Sequence, residues 1–155
     1  MARVVCAGHV NWDVTLRVDR LPAPDGEATI TGRSQSCGGS ACNVATSLAA
    51  LGDDATILGS VGADEQGDRA IAALEAAGVD RDPLVVADGE TAVKYLVVDA
   101  DGEVAVLGND GANEAFGATD LPEETLADAA HLHLTSQPSA TAVTLADRAR
   151  RHGLS

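Results

Sequence analysis

Two kinds of apolar pattern alternate along the chain. Short, largely apolar runs (Val4-Val5-Cys6-Ala7, then Ala55–Leu58 and Leu132-His133-Leu134) have the length of buried strands. Between them lie stretches whose apolar residues recur three and four positions apart. In Ala41–Leu51 these are Ala41, Val44, Ala45 and Leu48; in Gln66–Ala77 they are Ala70, Ile71, Leu74 and Ala77. Such spacing predicts helices with one buried stripe. Gly52 and Gly78 follow them where a helix end favours a left-handed residue, and Gly153 does the same for a third helix over Thr141–His152. Strand and helix in alternation predict an α/β domain with a parallel sheet flanked by helices.

A second set of strand-like segments breaks that rhythm. Val14, Leu16 and Val18 alternate with polar residues, and residues 28–32 follow after Pro22 and Pro24. Residues 92–98 and 103–107 are joined by Asp99-Ala100-Asp101-Gly102, a hairpin signal. These pieces, roughly residues 14–18, 28–32 and 92–107, are extra to the αβ alternation.

Candidate chemistry gathers at two places. In Cys37-Gly38-Gly39-Ser40-Ala41-Cys42-Asn43, two glycines stand directly before a helix. Glycine lets a ligand approach the main chain closely, and the helix start aims unpaired N–H groups and its positive dipole end at the same spot. Asn43, in the first turn, both donates and accepts, which suits hydroxyl recognition. In Gly8-His9-Val10-Asn11-Trp12-Asp13, Asn11 and Asp13 lie just past the carboxyl end of the first strand, where open α/β sheets bind ligands. Two residues apart on extended chain, they point the same way and can grip hydroxyls with charge-assisted bonds. The structural alternative for each motif is a tight turn bonded to its own backbone.

These motifs, with Leu51-Gly52, Gly59 through Gly67, Leu74 to Val79, Thr91 and Gly108 to Asn113, occur in an order that resembles the ribokinase-like (PfkB) family of sugar and nucleoside kinases. The resemblance runs over nearly the whole chain. It implies that the extra strands form a small lid sheet over the sugar, one that often pairs with another subunit, so a homodimer through the lid is an expectation. It implies an ATP-dependent sugar or sugar-acid kinase using Mg²⁺, with Asn11, Asp13, Gly38, Gly39 and Asn43 orienting the acceptor. A nucleoside kinase of the same family, or a non-catalytic sugar-binding module, are the alternatives. The family's Asp-Thr-x-Gly-Ala-Gly-Asp-like run, whose last aspartate is the base, does not occur here. The chain is therefore expected to be the N-terminal, substrate-binding half, residues 1–155 of one ribokinase-like domain. It would hold no catalytic residue of its own and be inactive alone, with the base and most of the ATP site beyond Ser155. A sheet ending there would expose the apolar side of the Thr141–His152 helix.

Two departures bear on the substrate. Ser40 stands where ribokinase proper typically has lysine, which puts ribose in doubt, and Ser136 falls where it has a sugar-binding glutamate and could still bond a hydroxyl of the substrate. Lys94, the only lysine, lies on a lid strand at a position that faces substrate in relatives, and would suit a carboxylate or phosphate on the sugar. As a solvated lid residue it would do nothing of the kind. Lys94 precedes Tyr95, so there is no Walker Gly-Lys-Ser/Thr. The spacing from Gly59 to Gly67 is wrong for a dinucleotide loop. His131 and His133 share one side of a strand without a third ligand in sight, so no metal site is expected. Cys6, Cys37 and Cys42 are odd in number and lack finger spacing, which fits structural thiols in a reducing cytoplasm.

Charge narrows the partners. Twenty-four acidic residues against 10 Lys and Arg give a net charge of −14. That argues against nucleic acid, whose phosphates require a basic surface. No stretch approaches the length of a membrane helix. An acidic surface whose positive charge is nearly all arginine fits a salt-rich cytoplasm, where screening relieves self-repulsion. The protein carrying this chain is expected to lose structure on dialysis below ~0.1 M salt and to regain it in molar KCl. Circular-dichroism melts of equal midpoint at both salt levels would contradict that reading.

Overall fold

The computed structural model describes residues 2–155. Strand β1 (Arg3–Ala7) is the middle of a parallel three-stranded sheet, flanked by β4 (Asp54–Leu58) and β9 (His131–Leu134). Its alternation divides the core. Val4 and Cys6 face helices α1 (Ser40–Leu51) and α2 (Glu65–Ala76), in a cluster with Val10, Ala41, Ala45, Ile57 and Leu74. Val5 and Ala7 face the other way, toward Phe116, Leu121, Leu126, Leu145 and Ala149 on α3 (Glu123–Ala127), α4 (Ser139–Arg151) and the chain before them. A parallel sheet covered on both faces needs these two apolar sets, and β1 supplies both.

The extra strands form a separate four-stranded sheet in the order β3-β2-β7-β8: β2 (Asn11–Val18), β3 (Ile30–Gly38), β7 (Val93–Val98) and β8 (Val104–Gly108). The β7–β8 hairpin turns where expected, with Gly102 at φ 86° and the Asp99 carboxylate accepting from the Asp101 and Glu103 amides. The base of this sheet belongs to the body: Trp12, Val14 and Val93 pack in the same cluster as Cys6 and Ala41. Its far end does not. Val104, Val106 and Leu107 are exposed.

Several expectations are corrected. The second lid strand runs from Ile30 to Gly38, not 28–32, because Ser34-Gln35-Ser36 is exposed on both faces and shows no apolar alternation. Two short strands, β5 (Ser60–Gly62) and β6 (Val85–Ala87), pair in parallel, too short to carry a period. A 3-10 turn (Ala118–Asp120) and α3 fill a stretch left unassigned. The apolar side of α4 is exposed only in part: Leu145 and Ala149 are buried against β1 and β9 and Arg148 is anchored by Glu123 and by the carbonyls of Ala118 and Leu121, while Val143 is exposed.

One polar clasp joins body and lid. Asp64 caps α2 through the Gly67 amide at 2.8 Å. The same carboxylate accepts from the backbone and hydroxyl of Thr91, at 2.8 and 2.6 Å, just before β7. Thr91 in turn accepts from the Gly62 amide at 2.9 Å. Burial pushes the Asp64 carboxyl up, but the bonds from Thr91 and Gly67 outweigh it, leaving it below the ordinary value. A carboxyl depressed in the fold contributes stability that is complete above its unfolded value and is lost as pH falls through the folded one. Asp64→Asn should therefore lower stability by about 1–2 kcal/mol at pH 7. The gap to wild type should close as pH falls below the ordinary carboxylate value of 3.8. Thermal melts from pH 7 to 3 check this, and equal midpoints at pH 7 would show that the clasp contributes nothing.

Candidate sugar-binding site

The Gly-Gly junction is built by close backbone packing. Gly39 is the N-cap of α1 at φ 94°, in the left-handed region that favours glycine, and a side chain there would strike the backbone of His9. Gly38 is the last residue of β3, paired with Asn11, and a Cβ on it would run into the Asp13 carboxylate. Both glycines are thus required by what passes beside them. The Ala41 amide donates to the His9 carbonyl at 3.2 Å, so the start of α1, the end of β3 and the start of β2 are fastened together.

Onto this junction the fold brings Asn11, Asp13 and Ser40. Asp13 Oδ1 and Ser40 Oγ are buried and have no protein partner. Buried polar atoms are rarely left unsatisfied, because each costs about 1–3 kcal/mol in lost hydration. Burial pushes the Asp13 carboxyl up, and Lys94 partly opposes it. Asn43 stands exposed in the first turn of α1 beside them. Lys94 is the register partner of Asp13 across β2 and β7. Its ammonium nevertheless turns to Asp110 and the Asn109 carbonyl, at 3.2 and 3.1 Å. Asp110 is exposed, so that pair is weak and Lys94 is free to exchange it for a ligand anion. Ser136 is not with the others. It lies past the carboxyl end of β9 in a separate cavity of about 380 Å³ with Thr135, Gln137 and Ser139.

One residue was missed. Asn113, only 1 % exposed, donates from Nδ2 to Asn11 Oδ1 at 2.9 Å, while its own Oδ1 has no partner. It borders a cavity of about 240 Å³ with His9, Asp110, Gly111 and Glu114. The stretch Gly108 to Asn113 is part of the family resemblance, but nothing in its spacing ties it to Asn11, 102 residues away.

The cysteines are quiet. Cys37 and Cys42 meet sulfur to sulfur at 2.7 Å, and the Cys42 contact, burial and neighbouring negative charge push the Cys37 thiol well up. His131 bonds Ser155 at 2.9 Å. Among the described residues no three carboxylate, imidazole or thiol groups converge on one point. Neither Mg²⁺ nor ATP is assigned to residues of this chain.

Residues 1–154 match the family description of the pfkB family carbohydrate kinases. The chain belongs to that family. It is 57 % identical over 155 residues to an ATP-dependent ribose-1-phosphate kinase of Halopiger xanaduensis, covering 99 % of this chain and 52 % of that protein. It is 28 % identical to a nucleoside kinase of Methanothermobacter thermautotrophicus, covering 88 % of this chain and 45 % of that one. The fold matches an Arabidopsis thaliana ribokinase solved with ribose and ATP (TM-score 0.84, 22 % identity, 99 % of this chain and 51 % of that chain). The chain thus spans about half the length of these relatives. As a pfkB-family chain it has the ribokinase-like architecture expected from sequence, and among the described residues no helix is long and apolar enough to cross a membrane.

Proposed function

We propose that this chain supplies the acceptor-binding half of an ATP-dependent sugar kinase whose substrate is an anionic sugar of the ribose 1-phosphate kind. The observation that carries the proposal is the pair of buried, unpartnered oxygens, Asp13 Oδ1 and Ser40 Oγ, on either side of Gly38-Gly39. A carboxylate oxygen only accepts, so its natural complement is a hydroxyl that donates. A sugar offers several at the required spacing. The naming of the Halopiger relative supports a phosphorylated ribose, and Lys94 beside Asp13 is the cation nearest this pair by strand register.

In the reaction, a sugar hydroxyl forms a bond to the γ-phosphorus of ATP as the bond to the β-γ bridging oxygen breaks. ADP leaves, and the hydroxyl proton passes to a base outside residues 1–155. The residues here hold the acceptor in line, and positioning supplies most of the catalysis in phosphoryl transfer. The lid, with Trp12 and Val14 at its base, keeps water from the transferred group. A nucleoside acceptor would want an aromatic or apolar face for its base. Trp12 is committed to the core with its N–H on Gln35, and Tyr95 borders a different, polar cavity. Mg²⁺, a salt-rich cytoplasm and pairing of lids between subunits complete the proposal; the strong acidic excess and the Halopiger relative support the second of these.

The test is a substrate panel with the protein that carries this chain. Asp13→Ala should lower the sugar kcat/KM by about 1.5–3 kcal/mol and leave the KM for ATP unchanged. Lys94→Met should weaken ribose 1-phosphate about tenfold or more and barely affect ribose. Loss of ATP affinity in place of sugar affinity would show Asp13 misassigned. A panel in which only neutral sugars react, unaltered by Lys94→Met, would exclude the anionic substrate.

A further inference from the structure

Asn113 is set in place before any ligand arrives. Its loop is tied to the body at several points: the Ala112 amide donates to the Glu90 carbonyl at 2.8 Å, and the Asn113 amide to Asp110 at 2.9 Å. The Ser60 hydroxyl donates to the Ala112 carbonyl and accepts from the Ala115 amide at 3.1 Å. Gly111, at φ 43°, lies so close to the backbone of residues 90–92 that no side chain fits. From this fixed seat Asn113 Nδ2 reaches Asn11 Oδ1. An asparagine amide has two ends of nearly equal shape, and which end faces a ligand is decided by what holds the other. With Oδ1 of Asn11 engaged, its Nδ2 is the end left over, and among the described residues no side chain or backbone group is bonded to it.

Resting on the reading of this pocket as a sugar grip, we infer that Asn113 is a positioning residue that locks the amide of Asn11, so that Asn11 offers an N–H and not a carbonyl to an oxygen of the sugar. The grip then has two polarities. Asp13 accepts from a hydroxyl, and Asn11 donates to an oxygen that need carry no proton, such as a ring or ester oxygen. A hydroxyl can meet such a donor too, whereas a ring or ester oxygen can meet nothing else, so the orientation matters most for the oxygens of the sugar that carry no proton.

Asn113→Asp tests the lock, because a carboxyl can be made donor or acceptor by pH. Ionised, it only accepts, so the Asn11 amide turns to donate to it and the sugar meets a carbonyl. Protonated, its O–H donates to Asn11 Oδ1 and the native orientation returns. Burial raises the pKa of such a carboxyl, which brings the change into a usable range. Asp13, His9, Glu114, Asp110 and Lys94 surround the pocket and titrate or carry charge in the wild type too, so the quantity to read is the ratio of variant to wild type.

For ribose 1-phosphate that KM ratio should be about ten at pH 8, the equivalent of one lost hydrogen bond, and should fall toward one at pH 5, with the KM for ATP unchanged. Asn113→Leu, which has no polar atom to hold either end, should raise the sugar KM less and show no such pH dependence. It also serves if the aspartate variant does not fold, a KM equal to wild type then overturning the inference. A ratio for Asn113→Asp that is flat with pH, whether high or near one, overturns it as well. A wild type that binds no sugar at all defeats both this inference and the function it rests on. A sugar-binding wild type with a flat ratio defeats this inference alone.

Discussion

The absence of side chains at Gly38 and Gly39 is the constraint on which the rest of the site depends. β3, the start of α1 and the strand that carries Asn11 and Asp13 meet within a space that admits no Cβ on either glycine. The Asp13 carboxylate lies against Gly38 with one oxygen buried and unpartnered among the described residues, and Ser40 follows Gly39 with its hydroxyl in the same state. A folded chain tolerates such a cost when a ligand later repays it, since desolvation already met in the free protein makes each bond to the ligand more favourable. Binding strength is thereby set by backbone packing two residues away from the contacts themselves.

The same economy governs the lid. Its base is not a separate layer but part of the body's core, through Trp12, Val14 and Val93, and its entry is held by the Asp64–Thr91 clasp. Only the distal strands, with Val104, Val106 and Leu107, are free of the body. Asp13 and Lys94 sit at the boundary, paired in register on β2 and β7, so the charges proposed to orient an acceptor are held at the base while the sheet beyond them is open to solvent. Association with another copy through those apolar residues would bury what is now exposed without disturbing the residues proposed to hold the sugar.

Much of this was legible in the sequence because the α/β body obeys simple periods. The stripes on Ala41–Leu51 and Gln66–Ala77 predicted helices found at Ser40–Leu51 and Glu65–Ala76, and the Asp99–Gly102 turn lies where its composition put it. The misses have physical reasons. β3 carries no alternation through Ser34-Gln35-Ser36, since neither face of the lid buries those residues. α3, five residues from Glu123 to Ala127, is too short to carry a helical period. Asn113 was invisible as a site residue because its meaning lies in one contact across the fold, and no local pattern encodes a partner so distant. Lys94 was assigned to the site by position, and the structure adds that its ammonium is borrowed by Asp110.

The central claim is that the unpartnered oxygens at the glycine junction await the hydroxyls of a sugar. A crystal structure of the protein that carries this chain, with ribose 1-phosphate bound, tests it most directly. The account predicts sugar hydroxyls within hydrogen-bond distance of Asp13 Oδ1 and Ser40 Oγ, with the phosphate drawing Lys94 away from Asp110. A sugar seated elsewhere, with both oxygens still unsatisfied, would contradict it.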